Sequence, residues 1–309
     1  MRLEGIHHVT AITGDAQLNV DFYVGVLGLR MIKKTVNHDA PEVYHLYYGD
    51  ERGSPGSAMT FFEFPGAQRG RAGAGMVHRI GFRIADGAAL DFWAARLQDA
   101  GCAVERDASA LRFSDPEGLG LELVVSGAPD APLAAHADDV PAAHALRGFA
   151  GARAYASDPG ESTALLTATL GFRAEEGERA FTAAGAERRA AWAYDPAPPQ
   201  RGLSGAGTVH HIAWASHDEH HEAWQARIAQ AGRRPTEVID RIYFRSIYFR
   251  EPSGVLFEIA TLSPGFTADE PLEQLGETLV LPARYEPLRE QLERSLTPIS
   301  NPRSANVRS

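Results

Sequence analysis

Short stretches of alternating apolar and polar residues recur along this chain, and each runs into residues with helical spacing. The four openings are Gly5-Ile6-His7-His8-Val9, Gly75-Met76-Val77-His78-Arg79-Ile80, Arg147-Gly148-Phe149-Ala150-Gly151-Ala152 and Gly207-Thr208-Val209-His210-His211-Ile212. Such recurrence predicts one supersecondary unit used four times. In the first unit a strand runs to Ile12, Asp15 suits a helix N-cap, Leu18, Phe22 and Val26 follow at helical spacing, and Gly28 stops the helix. Val43 to Tyr48 and Met59 to Phe64 then read as hairpin strands around a Gly/Pro/Ser turn at 53–57. The second unit repeats the order, with a strand at 76–84, a helix at 88–100 ending at Gly101, and strands at 111–113 and 120–125 about the turn Asp115-Pro116-Glu117-Gly118. The third, 147–195, keeps a helix at 160–170 stopped by Gly171 and strands ending at Trp192-Ala193-Tyr194. The fourth, 207–262, predicts a strand, a helix near 218–231, paired strands Asp240 to Ser246 and Ile247 to Arg250, the turn Glu251-Pro252-Ser253-Gly254, and a strand from Val255 to Ala260.

Between these units the pattern lapses. The Ala/Pro/Asp-rich stretch 127–145 reads as a linker, and Pro196 to Gly202 as a second break. The expectation is an α+β protein of four βαβββ modules in two domains: 1–130 with modules one and two, 146–265 with modules three and four, and an extension at 266–309. That extension predicts one helix near 285–295 and a polar tail whose last residues, 300–309, are expected to be mobile.

Composition narrows the function. The 309 residues are 44% hydrophobic and 23% charged, enough apolar material for one large or two ordinary cores. No apolar run approaches the roughly 20 residues needed to cross a bilayer, and no basic leader precedes the first module, so a cytoplasmic protein with no membrane partner is expected. A net charge of -10, with no basic block, argues against nucleic acid. Assembly into a homo-oligomer stays open. The single cysteine, Cys102, excludes an internal disulfide and suits a small structural position.

Histidine supplies the chemistry. Only the first and last modules double it; module two has Arg79, and module three Gly151, where His8 and His211 stand. Asp115 to Leu123 aligns without a gap on Glu251 to Ile259, which makes Glu122 and Glu258 equivalent. Glu258, flanked by Phe257 and Ile259, points away from its neighbours on an apolar strand, and a carboxylate there needs a partner. Neutral imidazoles from His8 and His211 with Glu258 would make a facial triad with open positions on a divalent metal, which requires module one to pair with module four and leaves modules two and three, without the doublet, as the inner pair. Strand alternation sends the two members of each doublet to opposite faces, so His7 and His210 are expected to pack beside the site or orient it. A histidine in a strand is otherwise more often a hydrogen-bonded core residue; the recurrence of the doublet and the buried-looking glutamate weigh for metal.

The modules resemble the vicinal oxygen chelate superfamily, which includes glyoxalase I, bleomycin-resistance proteins and type I extradiol dioxygenases. Ile247-Tyr248-Phe249-Arg250-Glu251-Pro252-Ser253-Gly254-Val255-Leu256-Phe257-Glu258 resembles the end of the extradiol dioxygenase signature, with an aromatic acid-base residue ten places before the glutamate ligand. Where catechol-cleaving members carry a histidine shortly before that tyrosine, this chain has Arg241. With Gly5 to Thr10, Tyr44 to Asp50 and Leu281 to Pro287, this resembles the hydroquinone ring-cleaving dioxygenases. The resemblance implies Fe(II), with Mn(II) as an alternative, on His8, His211 and Glu258, and acid-base or supporting roles for Thr10, His7, His210, Arg241 and Tyr248. It also implies a small aromatic substrate and O2. A para-hydroquinone reaches a metal through one oxygen only, so a permanent positive charge such as Arg241 has a reason to stand there, and Tyr248 could move a proton.

Rival readings rest on other residues. Glu63 ends module one much as Glu258 ends module four, and a glyoxalase-type isomerase or thiol-transferase with two histidines and two glutamates would use it. A metal-free aromatic-binding resistance protein would need the doublets to be accidental. His38 and His45 are candidate pocket residues, His136 and His144 fall in the linker, and His217, His220 and His221 start a polar helix.

Overall fold

A computed structural model describes residues 1–175, 177 and 179–303. Module one supplies β1 (Ile6–Thr13), α1 (Ala16–Val20), β2 (Arg30–Asn37), β3 (Ala40–Gly49) and β4 (Ala58–Glu63). Module two supplies β5 (Met76–Ile84), α2 (Gly87–Asp99), β6 (Glu105–Arg106), β7 (Ala110–Ser114) and β8 (Gly120–Val125). Module three follows with β9 (Phe149–Ala156), α3 (Gly160–Ala164), β10 (Arg173–Ala174), β11 (Ala180–Ala184) and β12 (Arg189–Pro196). Module four closes the series with β13 (Val209–Ser216), α4 (His221–Gln230), β14 (Ile239–Asp240), β15 (Arg245–Arg250) and β16 (Leu256–Thr261), before α5 (Arg289–Ser295). All four modules are therefore βαβββ, as expected of one repeated unit, although β2 and β6 are not among the strands that the periodicity marks.

They pair outer with outer and inner with inner. One eight-stranded sheet has the order β14-β15-β16-β13-β1-β4-β3-β2, and the other β10-β11-β12-β9-β5-β8-β7-β6. Modules one and four thus share a sheet through the antiparallel β1–β13 junction. The period of two divides each strand: Val9, Ala11, Ile212, Trp214, Ile247, Phe249, Phe257 and Ile259 enter the hydrophobic core, while His8, His211 and Tyr248 line a cavity on the opposite face. The first sheet also curls. Asp39, in the turn after β2 at one edge, accepts from the Nη1 of Arg241, next to β14 at the other edge, at 3.1 Å.

The strands of the doublets are bulged. Ile6 pairs with Trp214 and His8 with Ala213, leaving His7 as an extra residue; Thr10 pairs with His211 and Ala11 with Val209, leaving His210 as another. The same irregularity falls at His78 in β5 and Ala150 in β9. Strict alternation therefore fails at each doublet, and the expectation that its two side chains face opposite ways is corrected. A bulge places two consecutive residues against one partner, so neighbouring side chains turn toward the same side.

Three local readings also change. Asp15 caps α1 by accepting from the Leu18 amide at 3.0 Å, but the helix passes into a π-helical turn, Asp21–Val26, which shifts its register and leaves Leu18 41% exposed. Strand β2 has no counterpart in the sequence reading, because Lys33 and Lys34 break its apolar pattern; Lys33 is nonetheless fully buried between Asp269 and Glu270. The hairpin in module four turns at 241–244 rather than at 246–247. Ile242 takes a positive φ of 73° there, while the Asp240 carboxylate accepts from its amide at 2.7 Å. At the C-terminus Ser300 is bonded to Gln17 and Arg303 to Glu51, so the described part of the predicted tail is held; 304–309 lie outside the described residues. No helix among the described residues is long and apolar enough to cross a membrane.

Candidate metal centre

Each ligand candidate comes from a strand at the middle of the first sheet. His8 lies on β1, His211 on β13 and Glu258 on β16, and all three are buried. Nε2 of His8 is 3.3 Å from Nε2 of His211 and 3.2 Å from Oε2 of Glu258, and the third edge of the triangle is 2.9 Å. Ligands about 2.1 Å from one metal at adjacent octahedral positions are about 3.0 Å apart. The three edges fit a facial set. Among the described residues this is the one group of three or more such donors placed to share an ion.

The hydrogen bonds around His8 fix its protons. His7 Nε2 lies 3.1 Å from the Thr261 carbonyl, an acceptor only, so that nitrogen carries the His7 proton. Burial and the neighbouring His8 push His7 down to about 3, so its other nitrogen is bare. The 3.0 Å contact between the two Nδ1 atoms then takes its proton from His8, which leaves Nε2 of His8 turned toward His211 and Glu258. His210 makes the matching contact with His211, Nδ1 to Nδ1 at 2.8 Å. Burial alone would raise the Glu258 carboxyl, but His8 and His211 overcome it and hold the group well below its usual range. Its other oxygen accepts from Ser246 Oγ at 2.5 Å. Two imidazole nitrogens and a carboxylate oxygen converge in a buried space, and a divalent cation satisfies all three.

Beside the triad lies a cavity of about 350 Å³. Its apolar wall is Ile12, Phe62, Phe64, Phe244 and Leu256. Tyr248 projects into it next to His211, the ring centroids 5.6 Å apart, and Arg241 Nε donates to the Tyr248 hydroxyl at 3.3 Å. Burial raises the Tyr248 phenol above its ordinary value, with Glu258 adding to the shift, so it is protonated at neutral pH. His210 lines the cavity, and His7 lies behind His8, its ring against Phe244. Thr10 is buried two residues from His8 and bonds Thr60. His38 and His45 both reach the cavity, as do Asn37, Asp39 and Tyr47, which sequence reasoning passed over.

Other candidates fall elsewhere. Register identifies the module-one counterpart of Glu258: Ala213 pairs with Glu258 in module four, and the equivalent Thr10 pairs with Thr60. A threonine therefore occupies the place of a second carboxylate. Glu63 lies at the far end of β4, opposite Thr13, and accepts from Thr297 Oγ1 at 2.8 Å. Glu122 lies on β8 in the second sheet and pairs with Arg112 at 2.7 Å. His217 contacts Glu4 at 3.3 Å, and His221 is buried in α4.

Residues 5–123 and 144–259 match the model of the Glyoxalase/Bleomycin resistance protein/Dioxygenase superfamily. The chain belongs to this superfamily. Within it, the chain is 42% identical to the "Putative ring-cleaving dioxygenase MhqO" of Bacillus subtilis (strain 168), over 95% of this chain and 96% of that one. It is 32% identical to the "Chlorohydroquinone/hydroquinone 1,2-dioxygenase" of Sphingobium indicum, over 96% of each. The crystal structure of a "putative dioxygenase" from Bacillus subtilis superposes with a TM-score of 0.91 at 42% identity, covering 97% of this chain and 98% of the other. Glyoxalase I from Zea mays superposes at 0.61 with 14% identity, covering 88% and 95%, which reflects the shared fold.

Proposed function

We propose that the protein is an Fe(II)-dependent extradiol-type dioxygenase that opens a hydroquinone-like aromatic ring with O2, Mn(II) being the alternative metal. The observation that carries this reading is the facial, buried His8–His211–Glu258 set opening onto an aromatic-walled cavity. Its ring-cleaving relatives support the same reaction class, and the hydroquinone dioxygenase among them supports the substrate class. A metal held at three positions supplies open sites where a phenolic oxygen and dioxygen can meet.

The chain's own residues would do the rest. Phe62, Phe64 and Phe244 surround a flat ring and exclude water from its faces. Arg241, charged at every physiological pH, offsets negative charge on the substrate, a role a catechol would share with its second metal-bound oxygen. Tyr248, hydrogen-bonded to Arg241, holds or transfers the phenolic proton. His7 and His210 keep the ligand imidazoles turned with Nε2 toward the centre. A glyoxalase-type isomerase with a second glutamate ligand is disfavoured by Thr60 at that position. The test is oxygen uptake by protein loaded anaerobically with Fe(II), with hydroquinones set against catechols. Consumption of one O2 per hydroquinone and a ring-opened product are expected; no uptake with any hydroquinone would remove the reading.

A further inference from the structure

The two halves of the centre are related by an approximate twofold repeat, and the repeat exposes a residue that the triad and its neighbours leave unused. With His8 matched to His211, Thr60 stands for Glu258. Across the next strand pair, Tyr47 is opposite Thr60 and Tyr248 is opposite Glu258. Tyr47 is therefore the module-one mate of Tyr248, and both line the cavity. Two residues back along the same strands, and so on the same face, His45 takes the place of Ser246.

The loss of the carboxylate has rewired that side. Thr60 Oγ1 bonds Thr10 Oγ1 at 2.8 Å and His45 Nε2 at 3.0 Å, and His45 Nδ1 bonds the Tyr47 hydroxyl at 2.8 Å. Four side chains form one hydrogen-bonded row that ends on a phenol at the cavity wall. Burial, before any neighbouring charge, pushes the His45 imidazole well below its ordinary value, so it is neutral and carries one proton. Either tautomer completes the row. With the proton on Nε2, Tyr47 donates to His45 and keeps its lone pairs for a ligand; with the proton on Nδ1, Tyr47 accepts from His45 and can donate to one. Phe266, 5.1 Å away, and Tyr243, 6.3 Å away, pack the Tyr47 ring in place.

We propose that Tyr47, oriented by His45, hydrogen-bonds the ring hydroxyl that does not reach the metal, and so selects aromatic rings with two hydroxyls over rings with one. This rests on the reading that an aromatic diol enters the cavity. A ring bound through one oxygen at His8, His211 and Glu258 has Arg241 and Tyr248 on the module-four wall. On the module-one wall the apolar lining is interrupted inside the cavity by the Tyr47–His45 pair, while Asn37, His38 and Asp39 lie at the β2–β3 turn. A hydroxyl can act as donor or acceptor, and a partner that switches between the two roles suits it whichever way its proton points.

Anaerobic calorimetric titration of the metal-loaded protein with hydroquinone and with 4-methylphenol tests this, since the second ligand keeps one hydroxyl and the ring shape. The wild type should bind hydroquinone roughly 3- to 10-fold more tightly, the span of one hydrogen bond. Tyr47→Phe, which keeps the packed ring, should abolish that difference while leaving 4-methylphenol binding unchanged, and His45→Gln should retain more of it than His45→Leu. No preference in the wild type, no hydroquinone binding, or an unaltered preference in Tyr47→Phe would each overturn the assignment. Oxygen uptake is scored separately. A protein that binds hydroquinone through Tyr47 without consuming O2 sinks the dioxygenase reading alone, and one that turns over hydroquinone with Tyr47→Phe unchanged in preference sinks this inference alone.

Discussion

His8, His211 and Glu258 were legible as a set because the doublet recurs and the two Glu-bearing strands align without a gap; their convergence within 3.3 Å required the fold. The absence of a second carboxylate was not legible, since Glu63 looks like the match and only strand register points to Thr60. His8→Ala, His211→Ala and Glu258→Ala are each expected to lose most bound metal, while Glu63→Gln keeps it; metal analysis that found all three alanine variants fully loaded would refute the centre. Arg241→Ala and Tyr248→Phe should keep the metal and lose roughly 10²-fold in turnover, the scale of acid-base and electrostatic groups. Near-normal rates in both would remove their assigned roles. Away from the centre, Asp115 accepts from the Tyr23 hydroxyl at 3.1 Å and from the Leu119 amide at 2.8 Å, yet burial raises its carboxyl to about 6. The folded-state value lies above the unfolded one, so the native state holds its proton longer. Stability from this group is present below about pH 4 and is lost as pH rises toward 6, by an amount on the order of 3 kcal/mol. Asp115→Asn should lack that loss and be more stable than the wild type at pH 7 but not at pH 4, by urea unfolding at both values. An equal difference at the two pH values would contradict it.

At the scale of elements, helices and strands with clean periodicity were readable, and the exceptions have physical causes. The π-helical turn after α1 keeps Phe22 buried while changing the register that Leu18 had suggested. The bulges at His7 and His210 are invisible to a strict alternation of two, although they decide that each doublet works as one unit. Strand β2 escaped because buried lysines are rare unless paired, and its partners lie far along the chain. Lys33 bonds Asp269 at 2.5 Å and Glu270, and Tyr243 donates to Asp269 at 3.0 Å. The segment after β16 is thereby fastened to the edge strand that carries the cavity's β2–β3 turn. Lys33→Met would strand two carboxylates with little water around Glu270, at a cost of roughly 3 to 5 kcal/mol. The double variant Lys33→Met/Glu270→Gln should recover a good part of that loss, because it also removes one unpaired charge. Denaturant midpoints measure both, and a single variant as stable as the wild type would show that the cluster does not hold the edge.

Across the whole molecule, the chain's first and last modules meet in one sheet, and the β1–β13 junction puts ligands from both on one centre. That pairing was foreseen from where the doublets stand, because modules that lost the histidines had to be the inner ones. The consequence is that metal binding and sheet closure are one equilibrium: an unfolded chain has His8 and His211 far apart, so metal binds the native state and stabilises it by mass action. At a free metal concentration 100-fold above the dissociation constant the gain is about 2.7 kcal/mol, which for a chain of 309 residues corresponds to a shift of roughly 4 °C. Wild-type protein stripped with a chelator should therefore melt lower by about that much and recover when Fe(II) or Mn(II) is returned anaerobically. Glu258→Gln removes the charge that the metal neutralises while keeping the side chain's shape, so its melting temperature should respond little to either treatment. Differential scanning calorimetry of the two proteins, each with and without metal, separates the outcomes. If Glu258→Gln gained as much from metal as the wild type, the stabilising ion would be bound somewhere other than the junction of modules one and four.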